Sequence, residues 1–163
     1  MTAIAKNGIW LTFPPLFFSL SLMNYLPAPL TPALFNNDIP EILLNTENIV
    51  RILVFAMPAF FSIGISTKTQ KQGLVFYLSG VALYCMSYGA LIVFPESAWS
   101  TSMIGFTATA YTNLFWLIGL GLLGDKFYFP ARLHYRPVIF ISTGAIFLIF
   151  HIMHVIIVYQ RSF

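Results

Sequence analysis

His151 and His154 stand three residues apart inside a long apolar run, so on a helix they share one face. Imidazole nitrogens take up or release protons near neutral pH, which suits general acid/base work, hydrogen bonding or ligation. Arg51 lies just inside another apolar run and could grip a carboxylate or phosphate in a bidentate fork. Alternatively, it could snorkel to lipid headgroups. Glu47 precedes Arg51 by four residues, the order that favours an ion pair if the helix extends that far. Asn24 and Asn113 complete the set of polar side chains at membrane depth. At ~1.5 Å of rise per residue, Arg51 and Asn24 lie roughly 10 Å from the centre of their runs. His154 lies roughly 8 Å and His151 roughly 4 Å to the same side, with Asn113 close to the middle. Ionisable groups at such depth are costly, so Arg51, His151, His154, Asn113 and Asn24 are the candidate ligand-binding residues. They would line a polar cavity if they face one another.

The chemistry this set excludes is equally informative. Two histidines can share a metal, but no third histidine or buried carboxylate is expected in the runs, so no metal or other cofactor is predicted. The chain has no Ser/His/Asp set, phosphate loop, HExxH or dinucleotide fingerprint. Cys85 is the single cysteine, which rules out an intramolecular disulfide. It reads as a small apolar residue within a span.

The elements that must position these groups are five apolar runs, residues 9–26, 49–66, 73–94, 104–123 and 138–159. Each approaches the ~20 residues that carry a helix across a ~30 Å hydrocarbon layer. A chain that is 58% hydrophobic and 8% charged has too few charges to cover a water-facing surface. The fold class is therefore all-α, a polytopic integral membrane protein of five transmembrane helices forming one bundle over residues 1–163. Lys6 precedes the first run and is read with it as a membrane span, not a leader. Lys68 and Lys71 separate the second and third runs; Lys126, Arg132 and Arg136 separate the fourth and fifth. The intervening connections carry Asp38, Glu41, Glu47 and Glu96 instead. This alternation predicts a cytoplasmic N-terminus and a C-terminus outside, in the plasma (inner) membrane. Tyr25, Trp99 and Tyr159 at one set of ends, and Trp10, Tyr77, Tyr128 and Tyr135 at the other, form aromatic belts that agree.

The connections vary in character. Pro27, Pro29, Pro32 and Pro40 stiffen residues 27–48, where Asp38-Ile39-Pro40-Glu41, with Asp38 as cap, reads as the start of a short surface helix, separate from or continuous with the second span, that could serve as a lid. Residues 67–72 read as a tight turn. Residues 124–137 mix rings with charge, with Lys126, Phe127, Tyr128, Phe129, Arg132, His134, Tyr135 and Arg136 forming a headgroup anchor or an anionic-lipid site. Pro14-Pro15 starts or bends the first helix and leaves carbonyls that need another partner.

The net charge of +3 forms no basic stripe, so no nucleic-acid partner is expected. The expected partners are membrane lipids, a small amphiphilic ligand and a second copy in a homo-oligomer, although no strict GxxxG pair occurs. Three functions fit these residues. The bundle could bind or transport a small amphiphilic or lipid-like ligand in an outward-opening pocket. It could be a membrane enzyme with His151 or His154 as acid/base and Arg51 as electrostatic stabiliser. It could be a structural or accessory subunit whose polar groups join helices.

Overall fold

The computed structural model describes residues 6–128 and 134–163, so Phe129 and Arg132 lie outside the described residues. The chain is mostly helical. Three helices are long and apolar enough to cross a membrane, in segments Glu41–Phe60, Lys68–Val93 and Pro137–Ser162. The other two apolar runs are helical but interrupted.

The first interruption follows from Pro14-Pro15. A short 3-10 turn, Gly8–Leu11, precedes helix α1 (Phe13–Leu22), whose first turn holds both prolines. Pro15 has no N–H, so the Leu11 carbonyl four residues earlier loses its helical donor. The Tyr77 hydroxyl donates to that carbonyl at 2.7 Å from a distant helix. A buried carbonyl so deprived would cost about 1–3 kcal/mol. Tyr77→Phe is accordingly expected to lower stability by about 1–2 kcal/mol, read as a shift of the unfolding midpoint in detergent.

Residues 23–40 form 3-10 turns at Met23–Tyr25 and Ala28–Leu30, then the four-residue helix α2 (Pro32–Phe35). Asp38 adopts a positive φ of 54°, a left-handed geometry that aspartate tolerates better than most residues. It therefore does not cap the next helix. Pro40 occupies the cap position, and α3 (Glu41–Ala56) runs unbroken from Glu41 into the apolar run. Glu47 is thereby carried inside the bundle.

Pro58 closes α3 through a 3-10 turn, Met57–Phe60, and leads into an element absent from the all-α expectation. Strand β1 (Phe61–Ile63) pairs antiparallel with β2 (Gly124–Phe127), matching Phe61 with Phe127 and Ser62 with Lys126. Aromatic residues explain its position. Phe61 is fully buried and meets the Tyr135 ring at 4.8 Å and Phe140 edge-on at 5.7 Å.

Helix α4 (Lys68–Val93) starts earlier than its apolar run because Thr67 and Gln70 form a reciprocal capping box. The fourth apolar run is divided into α5 (Met103–Phe106), α6 (Ala108–Tyr111) and α7 (Asn113–Leu123). Short polar side chains compete for its backbone. Thr107 donates to the Met103 carbonyl at 2.7 Å and Thr112 to Ala108 at 2.6 Å, while the Asn113 amide donates to Thr109 at 2.8 Å. Helix α8 (Pro137–Ser162) completes the chain.

The main core joins Trp116, Leu117 and Leu120 of α7 to Tyr77 and Tyr84 of α4 and to Phe140 and Phe147 of α8. Glycines let α4 and α7 approach at backbone distance. A Cβ on Gly80 would lie 2.7 Å from the Phe115 carbonyl carbon, and one on Gly119 would lie 2.6 Å from the Tyr77 Cα. A second cluster packs Leu30, Ile39 and Leu43 against Leu91, Phe106, Val155 and Val158 at the Pro-rich end. Large apolar side chains such as Phe17, Ile42 and Ile52 cover the outside, a surface suited to lipid rather than water.

Candidate functional site

Glu47 is the organising group at the Pro-rich end. The carboxylate is fully buried, in place of the apolar interior expected without an acidic group. Three donors converge on it from two helices. Arg51, one turn along α3, pairs with Oε1 through Nη2 and donates from Nη1 to Asn48 at 3.1 Å. From α8, His151 Nδ1 lies 2.9 Å from Oε1 and His154 Nδ1 lies 2.6 Å from Oε2. The i,i+4 spacing on α3 and the i,i+3 spacing on α8 thus turn two helical faces toward one carboxylate.

Proton placement follows from the partners. A carboxylate oxygen accepts, so His151 presents its N–H at Nδ1. His154 is buried, and its second nitrogen, Nε2, faces the Phe35 carbonyl at 3.1 Å. A carbonyl can only accept, so Nε2 carries a proton, and the 2.6 Å Oε2–Nδ1 contact holds another.

Aromatic rings fix both imidazoles. His151 stacks on Phe147 at 5.2 Å, one turn below it on α8. His154 stacks on Phe35 at 4.1 Å, a ring supplied by the connection before α3.

A cavity of ≈ 190 Å³ opens beside the cluster. Its apolar wall includes Leu20 of α1 and Val155 of α8, with Leu26, Leu30 and Phe35 from residues 23–40. Its polar lining consists of Ser19, Tyr88, Thr109 and His151. The Tyr88 hydroxyl accepts from Tyr84 at 3.1 Å, and the Ser19 hydroxyl donates to the Leu16 carbonyl at 2.9 Å. His151 is therefore the member of the charged cluster that reaches the cavity. Arg51 and His154 are not among its lining residues.

Of the candidate residues, Arg51, His151 and His154 meet around Glu47. Asn113 lies apart, accepting from the Trp116 indole at 2.7 Å and bonding along its own interrupted helix. Asn24 sits exposed in the Met23–Tyr25 turn and is not among the residues that line the cavity. Sequence reasoning gives Glu47 only a pairing role at the edge and misses Phe35 altogether. The usable signal is Pro40-Glu41, which starts α3 early enough to bury Glu47. Among the described residues, no three His, Cys, Asp or Glu side chains are arranged to hold a metal ion. The two imidazoles instead address opposite oxygens of one carboxylate.

No family model, curated protein or solved structure matches this chain.

Proposed function

We propose that the protein binds a small amphiphilic or lipid-like molecule within the membrane, in the cavity beside His151, and holds or passes it there. The observation that carries this reading is a mostly apolar cavity with one imidazole in its wall, oriented from behind by a buried carboxylate. Apolar walls with a few fixed polar groups are what small-molecule sites generally contain. A volume of ≈ 190 Å³ suits a short acyl segment or a small ring, since a cavity of roughly 150 Å³ accepts benzene. With its proton on Nδ1 toward Glu47, His151 offers Nε2 as an acceptor, so the polar head would be a hydroxyl or another O–H or N–H donor.

In this reading all five apolar runs cross the plasma membrane. The interrupted segments 9–26 and 104–123 cross as shorter helices, with Tyr77 meeting the Leu11 carbonyl left by Pro15 and with Thr107, Thr112 and Asn113 bonding carbonyls of their own segment. The Lys/Arg alternation supports an N-terminus inside and, with it, a cavity toward the outer face.

The test is mass spectrometry of molecules extracted from protein purified in mild detergent. A small amphiphile should co-purify in near-stoichiometric amount. It should be lost on Leu26→Trp, which fills the cavity, and be held about tenfold more weakly by His151→Gln. Recovery of bulk membrane lipid alone, unchanged by Leu26→Trp, overturns the reading. A catalytic role would show as turnover lost in His151→Gln with the molecule retained.

A structural or accessory role has its own support. Every charged member of the cluster already has a partner within the protein. That reading gains if nothing co-purifies while Glu47 variants still destabilise the bundle.

A further inference from the structure

The wall of the cavity formed by residues 27–38 is built unlike the others. The remaining walls belong to α1, α4, α6 and α8, whose carbonyls are largely engaged within helices, and to Met23 and Leu26 around the preceding 3-10 turn. Residues 27–38 bond mainly to themselves, through Leu30 to Pro27 at 2.9 Å and Phe35 to Thr31 at 2.9 Å. Their polar attachments to the bundle come from two side chains of α8, Arg161 and His154. Arg161 donates from both guanidinium nitrogens to the carbonyls of Asn37, Leu34 and Phe35, the last at 3.2 Å. His154 Nε2 meets the same Phe35 carbonyl at 3.1 Å, and its ring stacks on the Phe35 ring. Phe35 and Leu30 face the cavity. At the far end of the segment, Asp38 supplies the left-handed turn into α3.

We infer that residues 27–38 are a gate over the cavity, latched by Arg161 at the exposed rim and by His154 beneath it. A ligand enters when the carbonyls of Leu34, Phe35 and Asn37 leave Arg161 and Phe35 slides off the His154 ring, with the chain turning at Pro27 and Asp38. Such closures use short, locally bonded elements, and opening here also withdraws Leu30 from the apolar cluster it shares with Leu91 and Val155 while the long helices keep their own hydrogen bonds. His154 joins the two halves of the device. It bonds Glu47 on one side and the gate on the other, so a ligand that draws His151 away from Glu47 changes the partner that orients the latch. The inference rests on the cavity being a ligand site, but its test needs no ligand.

Thr109 is buried on the cavity wall, so Thr109→Cys in a Cys85→Ala background places one reporter thiol there. Its reaction is followed with a charged, water-soluble methanethiosulfonate reagent. The introduced thiol should react slowly when the latch is intact. Arg161→Gln should raise the rate about tenfold or more, Arg161→Lys less, and His154→Gln further when combined with Arg161→Gln. Hydrogen exchange should rise in residues 30–37 and hold in residues 41–56. The gate is overturned if Arg161→Gln leaves the rate unchanged, if the introduced thiol already reacts like a free one with the latch intact, or if exchange rises equally through α3. Gating without a co-purifying amphiphile would defeat the ligand reading alone; an amphiphile whose cavity shows no gating would defeat the gate alone.

Discussion

Glu47→Ala is expected to lower the unfolding free energy by about 3–5 kcal/mol, the largest loss of any single change in the charged cluster. The carboxylate has no exposed surface and three positively charged or N–H-bearing partners. Its removal leaves the buried His154 Nδ1 and the partly buried His151 Nδ1 without their acceptor and takes the counter-ion from Arg51. Glu47→Gln keeps the shape but places an amide N–H where two imidazoles also present N–H, so it should recover only part of the loss. Replacing Glu47, Arg51 and His154 together with leucine, leucine and phenylalanine should approach the parent stability, since apolar groups of similar volume commonly substitute for a buried ion pair without loss. Thermal unfolding in one detergent measures all three. A Glu47→Ala variant as stable as the parent would show that the cluster does not hold α3 to α8.

The second large effect concerns the seam between α4 and α7. Gly80→Ala and Gly119→Ala each place a methyl group against the backbone of the other helix, where no side-chain rotation can relieve the contact. Each should cost about 1–3 kcal/mol or more. The effects should be strongly non-additive, because the first substitution already separates the helices and makes room for the second. Gly89→Ala on the same helix is the control. No atom lies within 4 Å of a Cβ placed there, so it should be neutral or stabilising by roughly 0.5–1 kcal/mol through helix propensity. Equal destabilisation by Gly89→Ala and Gly80→Ala would remove close packing as the explanation.

Hydropathy is sufficient for the three long helices, because an unbroken apolar stretch has few other ways to satisfy its backbone in lipid. It is insufficient for the segments around Pro14-Pro15 and Thr107–Asn113. There, local hydrogen-bond chemistry interrupts the helix without altering the apolar pattern. Thr107, Thr109, Thr112 and Asn113 lie close enough together to signal the interruption. The capping box of Thr67 and Gln70 is likewise legible, although the same residues also read as a turn. The β1–β2 pair is not legible, since three- and four-residue strands joined across a long separation leave no periodic trace.

The site is legible in its parts but not in its centre. Helical spacing puts His151 beside His154 and Glu47 beside Arg51. That the two pairs belong together depends on α3 packing against α8, and helical spacing within each run does not reveal which helices are neighbours. Phe35 and Arg161 are hidden for the same reason. Their contacts lie between segments more than a hundred residues apart in the chain.

The pairing of Ser62 with Lys126 sets an order of events during synthesis. Its first half is made early, yet its second half follows α7, so the hydrogen bonds at the end of α3 cannot close until most of the protein has left the ribosome. Until then Phe61 has neither Tyr135 nor Phe140 to pack against. The nascent chain must therefore hold its first four hydrophobic segments in the insertion machinery or the bilayer with this seam unfastened, and the closure is completed once Phe140 has emerged.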